Sequence, residues 1–313
     1  MAPKNKRKTV PLAPPPHAST MKSRKRARQV TTLFHKYTRE RDLALQKGDP
    51  TKEWDEKLED IGGREEYQKA SQLSTTFHST SKWVLGYLQR NGWLYGIRMD
   101  EGDDNPQTKK KRKRRRDTKL LEIGAINTEL LDAAERTMDD KTTKKYRLNV
   151  RAIDLHSMHP GRIEEADFLK LPLNTHTGKS CDVIVCSMVL NCVTTPEDRG
   201  EMLTRIHHLL RPGGILFLTI PRLCLSQSPY VTREQFLSLL GESGVGLVVK
   251  ETKESPKVAF FLCKRPDTTA EPRDPSSFDE QWTQLRKVQR GKKYRNQFAV
   301  VLDKHRVLQT GSC

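Results

Sequence analysis

Leu120-Leu121-Glu122-Ile123-Gly124-Ala125 is an apolar run that closes on an acid and a glycine. A glycine there lets the backbone approach a ligand at the carboxyl edge of a sheet. Glu122 stands where it can take a positive or hydrogen-donating ligand group. Asp154 ends the next apolar run, where a carboxylate can accept both hydroxyls of a ribose. Asp167-Phe168 follows a third strand, giving an acid for an adenine amino group and an aromatic to flank the ring. Ser187 lies past a fourth strand at the same edge, and Asn191 follows where a substrate would meet the reacting group. Arg222, after a fifth strand, lies on the same rim and suits an RNA phosphate or plain solvent equally. Each residue alone is a weak signal, since a glycine after a strand is usually a turn and Asn191 suits a turn cap equally well. Their order along the chain makes the set stronger than its members.

Two cofactors suit this layout. A dinucleotide needs G-x-G-x-x-G to admit its pyrophosphate, and Ile126 and Asn127 follow Gly124 instead. S-adenosylmethionine has no phosphate, and its sulfonium and amino group favour acidic neighbours, so the sequence favours it. The gap from Glu122 to Asp154 exceeds the about 20 residues usual between such positions, and Thr137 to Arg147 reads as an insertion. Motifs for other chemistries (H-E-x-x-H, G-x-S-x-G, a Walker loop) are missing. The six cysteines form no CxxC pair, so no metal is expected. His207-His208 reads as helix surface and packing rather than a metal site.

The pattern that must position these residues begins at Lys119–Ile123, a strand. A helix at 128–138 follows, then strands at 148–155 and 181–189, a helix at 197–210 closed by Arg211-Pro212-Gly213-Gly214, a strand at 215–220 and a helix at 232–240. Strands alternating with helices predict a parallel sheet covered on both faces. Two last strands, 246–252 and 258–264, are joined by too few residues for a crossover and must be antiparallel. The fold class expected is α/β, a Rossmann-like, mostly parallel seven-stranded sheet of the class I methyltransferase type. Before it, helical segments at 29–47, 52–60, 64–72 and 81–89 read as a small helical domain. The expected organisation is a disordered basic tail over 1–28, the helical domain over 29–98, a linker with a basic run over 99–117, the cofactor-binding domain over 118–265 and a polar, basic extension over 266–313. Within the extension, a weakly marked helix lies near 278–290.

The chain has 313 residues, 35% hydrophobic and 6% aromatic, with a net charge of +18. Hydrophobics fall below the about 45–50% apolar share of a compact domain. No run is long and apolar enough for a transmembrane helix, so no membrane role is expected. Residues 1–28, the eight consecutive basic residues Lys109–Arg116, and residues 286–306 together carry +24, which leaves −6 for everything else. Such blocks serve as nuclear import addresses and as sequence-blind grips on phosphate. The folded part should then be mildly acidic and the appendages basic.

Several strings resemble one known family. Gly62-Gly63, Tyr67-Gln68-x-Ala70-Ser71 and Ser81-Lys82 match its helical signature. Ile153-Asp154-Leu155-His156-Ser157-x-His159-Pro160, Asp167-Phe168, Val189-Leu190-Asn191 and Arg199-Gly200-Glu201-Met202-Leu203 match its second half. The chain is similar over about 60–265 to the fungal nucleolar methyltransferases that modify N1 of an adenine in large-subunit (25S) ribosomal RNA, relatives of an animal S-adenosylmethionine sensor. Thr75-Thr76-Phe77-His78 stands where the family carries a glycine-rich stretch. The resemblance implies S-adenosylmethionine as cofactor, with Gly124 and Asp154 the best-supported contacts. It also implies large-subunit rRNA or a pre-ribosomal particle as partner, ribosome biogenesis as the process, and the nucleus and nucleolus as location. A monomer is expected. Two other readings keep the same site: a non-catalytic sensor of the cofactor acting through a protein partner, and a methyltransferase of protein or small molecules. The basic segments favour RNA.

Overall fold

The computed structural model describes residues 21–75, 80–95, 117–139, 148–172, 181–267, 278–288, 294 and 296–303. The basic run at 109–116, most of the tail and most of the expected insertion lie outside the described residues. Four helices come first: α1 (Arg24–Lys47), α2 (Lys52–Asp60), α3 (Gly63–Thr75) and α4 (Thr80–Arg90). Then follow β1 (Thr118–Ile123), α5 (Glu129–Asp139), β2 (Leu148–Asp154), β3 (Glu164–Glu165) and β4 (Cys181–Ser187). The chain continues through α6 (Pro196–Leu209), β5 (Leu210–Pro221), α7 (Leu223–Ser226), α8 (Arg233–Leu240), β6 (Val248–Glu254) and β7 (Val258–Lys264).

The seven strands lie in the order β3-β2-β1-β4-β5-β7-β6. All pairs are parallel except those of β7, which runs antiparallel to both β5 and β6. This is the predicted sheet, with its closing hairpin. The order reverses between β1 and β4, so a crevice opens at their carboxyl ends, where ligands bind in such sheets. Local sequence sets the helices that frame it. Thr195 caps α6 by accepting from the Asp198 N–H at 3.0 Å, Pro196 takes the first turn, and Glu197 and Asp198 complement the dipole. Thr232 and Gln235 form a reciprocal capping box on α8.

Both sheet faces are covered by apolar side chains. On one face α4 and α5 supply Val84, Leu85, Leu88, Leu130 and Ala133 against Leu120, Val183, Val185 and Phe217. On the other, Leu203, Ile206, Phe236 and Leu240 pack on Leu121, Ile184, Leu216 and Leu218. Helix α4 is therefore part of the sheet's core, and the helical domain expected over 29–98 divides. Helices α1–α3 form a separate lobe, where Met21, Ala27, Val30 and Ala70 make a cluster of their own.

Two further expectations fail at the ends of the chain. The disordered tail expected over 1–28 is too long, because α1 starts at Arg24, capped by Ser23, with Met21 and Ala27 buried. Part of the basic charge thus sits on a folded helix. The extension over 266–313 is likewise no mere appendage. Its expected helix reduces to one 3₁₀ turn, Glu280–Trp282. Phe278, Trp282, Phe298, Val300 and Leu302 join the main core. Residues 298–302 cross α6 as an extended strap, with the Val301 N–H donating to Pro196 O at 2.9 Å. Gly200 on α6 makes this crossing possible: a Cβ there would stand 1.8 Å from Val301 O.

Candidate functional site

The site is built at the carboxyl ends of β1, β2 and β4. Gly124 turns the chain out of β1 at φ 72°, and the N–H groups of Gly124 and Ala125 both donate to Ile153 O, at 2.8 and 2.9 Å. A Cβ on Gly124 would come within 2.3 Å of Val189 Cγ2. Conformation and space both demand glycine here, and the loops after β1 and β4 meet at this point. Asp154, 9% exposed, ends β2. Its Oδ1 accepts from the His156 N–H at 2.9 Å and from the Arg64 guanidinium at 3.1 Å.

Glu122 Oε2 is shielded from solvent and has no hydrogen-bond partner. Burial, then repulsion from Glu129, pushes its carboxyl up to about 8. Asn191, in the loop after β4, donates through Nδ2 to Cys192 Sγ at 3.3 Å, while its Oδ1 is shielded and unpartnered. Met188, between β4 and Asn191, is non-glycine yet sits at φ 61°, an uncommon backbone state found at functional loops.

Three predicted residues are already engaged. Phe168 is 3% exposed and its ring belongs to the main core. Asp167 caps the short turn Phe168–Lys170, its Oδ1 accepting from the Leu169 N–H at 3.0 Å. Ser187 stands in a hydroxyl chain, 2.8 Å from Thr80 Oγ1 and 3.0 Å from Thr219 Oγ1, which ties α4, β4 and β5 together. Gly124, Asp154, Glu122 and Asn191 stand at the edge, and Asp167 keeps a side chain that is 34% exposed there. Arg222, expected on the rim, lies 3.6 Å from Glu254.

The lobe of α1–α3 brings residues to which the sequence alone assigns no role. Arg64 reaches Asp154, Gln68 donates to His156 O at 2.7 Å, and Gln72 donates to Ile126 O at 3.3 Å. Three turns of α3 thus lie along the loops after β2 and β1. From α1, His35 Nε2 lies 3.4 Å from Tyr67 Oη and 3.9 Å from Cys192 Sγ, and Asp42 accepts from Thr194 at 2.8 Å. Burial lowers the His35 pKa and raises that of Tyr67, so both are neutral near pH 7. The α3 residues lie in and around the string from Gly62 to Ser71, whose spacing carries no recognisable chemistry by itself.

The family model described as 25S rRNA (adenine(2142)-N(1))-methyltransferase, Bmt2, matches residues 52–300. The chain belongs to the Bmt2 family. A 25S rRNA (adenine(2142)-N(1))-methyltransferase of Saccharomyces cerevisiae is 35% identical over 132 residues, 42% of this chain and 37% of that protein. The matched stretch therefore spans little more than a third of the yeast relative. A 25S rRNA adenine-N(1) methyltransferase of Schizosaccharomyces pombe is 27% identical over 241 residues, 73% of this chain and 77% of that one. Among solved structures, the N-methyltransferase NodS of Bradyrhizobium japonicum with S-adenosyl-L-homocysteine is similar at TM-score 0.32 and 16% identity, covering 57% of this chain and 97% of that one. An S-adenosylmethionine-dependent methyltransferase of Mesorhizobium loti is similar at TM-score 0.36 and 15% identity, covering 48% of this chain and 92% of that one. The matched family region takes in the strap as far as Val300, within the segment expected to be a mere extension.

Proposed function

We propose that this chain transfers a methyl group from S-adenosylmethionine to N1 of an adenine in large-subunit ribosomal RNA. The observation that carries the reading is the Gly124–Asp154 pair at the strand-order reversal, inside the matched family region. The residues present fit the cofactor. Gly124 leaves the backbone bare at the turn, Asp154 offers a carboxylate for a ribose diol, and Glu122 Oε2 and Asn191 Oδ1 are shielded acceptors awaiting donors. When bound, the cofactor supplies an electrophilic methyl on a sulfonium.

Adenine N1 carries a lone pair, so the transfer needs no side chain to remove a proton first. On transfer the bond to N1 would form as the sulfur–methyl bond broke, and the positive charge would pass to the base. The chain's own work is positioning, by which effective molarity lowers the barrier. N1 lies on the Watson–Crick edge, so the target adenine must be unpaired or turned out of its helix. Asn191 is suited to accept from the adenine amino group, and the Met188–Asn191 loop to receive the base.

Helix α1 supports the RNA partner. It carries eight Lys/Arg against two acids. Lys25, Arg28, Lys36, Arg39 and Lys47 are all exposed and fall within about 100° of arc along a helix about 36 Å long. His35, one step around the helix, touches Cys192, so this basic stripe runs beside the loop after β4. Backbone phosphates are its natural partner. Action on rRNA or a pre-ribosomal particle, in the nucleolus, as a monomer, completes the proposal. Among the described residues no helix is long and apolar enough to cross a membrane, and no group of three or more His, Cys, Asp or Glu is placed to hold a metal. The test is primer extension on large-subunit rRNA from cells with and without the gene. A strong stop at one adenine should vanish on deletion and return with the wild-type chain; an unchanged stop pattern would refute the assignment.

A further inference from the structure

We propose that Arg64 receives the carboxylate of the cofactor's amino-acid end, and that it does so by exchanging one carboxylate partner for another. This rests on reading the Gly124–Asp154 edge as an S-adenosylmethionine site. That molecule carries a sulfonium, an ammonium and a carboxylate. Glu122 and Asp154 suit the groups that are positive or donate hydrogen bonds. The carboxylate needs a cation or a set of N–H donors.

The sheet domain offers little of that kind at its carboxyl edge. Residues 124–128 after β1 and 188–195 after β4 contain no Lys or Arg. Arg162, after β2, is held by Asp132 and Glu135, each at 2.7 Å. Lys170 has a largely exposed side chain and lies 3.7 Å from Asp167. Arg64 differs from these. It comes from the first turn of α3, and its guanidinium lies 3.1 Å from Asp154 Oδ1. Its Nε is shielded and without a partner. Gln68 and Gln72, one and two turns further along the same face, are bonded to His156 O and Ile126 O and hold α3 against the edge.

Asp154 Oδ1 therefore already accepts from two donors, one of them the guanidinium with which a ribose diol would compete. A guanidinium moved off Asp154 with no new partner would lose its ion pair while its shielded Nε stayed without an acceptor. S-adenosylmethionine brings both halves of the exchange. Its diol takes over Asp154, and its carboxylate takes over Arg64 in a charge-assisted, planar pairing suited to arginine. A nucleoside lacking the carboxylate brings only the first half. The same contact makes the α1–α3 lobe sense whether the cofactor carries its amino-acid end.

The experiment is calorimetry on the full chain with S-adenosylmethionine and with decarboxylated S-adenosylmethionine, which keeps the sulfonium and the amine. The wild type should prefer the carboxylated ligand by about 10- to 100-fold, the range for a hydrogen-bonded charge. Arg64→Gln should abolish that preference while binding the decarboxylated ligand as well as, or better than, the wild type. Arg64→Lys should retain part of it. Equal weakening of both ligands in Arg64→Gln would mark a merely structural role and overturn the proposal. Unchanged binding of S-adenosylmethionine would also overturn it. If Arg64→Gln fails to fold, the wild type and Arg64→Lys decide: no preference in the wild type, or an undiminished one in Arg64→Lys, overturns it. A wild type that binds neither ligand defeats the site reading itself, a distinct outcome.

Discussion

Helix α4 presses Trp83 edge-on against Phe217 and Phe260, with ring centroids 4.9 and 5.4 Å apart, and buries Val84, Leu85 and Leu88 under the sheet. Helix α3, the one before it, meets the same domain through Arg64, Gln68 and Gln72. The first contact removes apolar surface from water and gains the same free energy whatever else is bound. The second exchanges hydrogen bonds with water for hydrogen bonds with protein, a net gain of about 0.5–1.5 kcal/mol for each glutamine. A ligand that brings its own donors and acceptors competes with the second contact and leaves the first alone. One helix is thus fastened for folding, and the other is placed where a cofactor can negotiate with it.

Equilibrium urea unfolding tests this contrast at its strongest point. Leu88→Ala should cost about 2–5 kcal/mol, the range for deleting a buried leucine side chain, whereas Gln68→Ala should cost about 1.5 kcal/mol or less. Equal losses would mean that the two contacts do not differ in kind. The next largest effect concerns charge at the edge itself. Glu122 is raised from 4.5 to about 8, so near pH 7 it is mostly protonated in the folded, cofactor-free chain. An acid held above its ordinary value stabilises the fold less as pH rises, so stability should fall between pH 4.5 and 8 on this account. Cofactor binding should move the other way. A cationic ligand favours the ionised carboxylate, so affinity should climb by up to about tenfold per pH unit until pH 8. Calorimetry should register proton release at pH 7, and Glu122→Gln should flatten both trends. The smallest effect on the fold belongs to the stripe on α1. Changing Lys25, Arg28, Lys36 and Arg39 to Gln should leave stability within about 0.5 kcal/mol per site. The salt dependence of RNA binding, followed by fluorescence anisotropy, should flatten by about 0.7–0.9 in log–log slope for every phosphate that is no longer neutralised. An unchanged slope would remove α1 from the RNA interface.

The sheet was legible because its strands are short apolar runs bounded by Gly, Pro and polar segments, and because the hairpin loop before Val258 is too short to cross over. The places of Gly124 and Asp154 at the strand ends were legible because each closes such a run. The burial of Phe168 was not legible, because the sequence tells which edge a residue is near but not how far its ring packs into the core. Arg64 was invisible because its partner lies ninety positions away and charged residues on a short helix usually face solvent. The strap was hidden by averaging, since Phe298-Ala-Val-Val-Leu302 is a five-residue apolar island in a polar, basic stretch. The boundary of the helical region was lost because α4 follows the lobe helices in one run of helical segments, although Trp83, Val84, Leu85, Tyr87 and Leu88 make it more apolar than they are.

The crossing of residues 298–302 over Gly200 also bears on how narrow the tolerance for mutation is at one point. Any side chain at position 200 would push the strap off α6 and uncover Phe298, Val300 and Leu302 together, so a residue with no side chain of its own guards the closure of the main core.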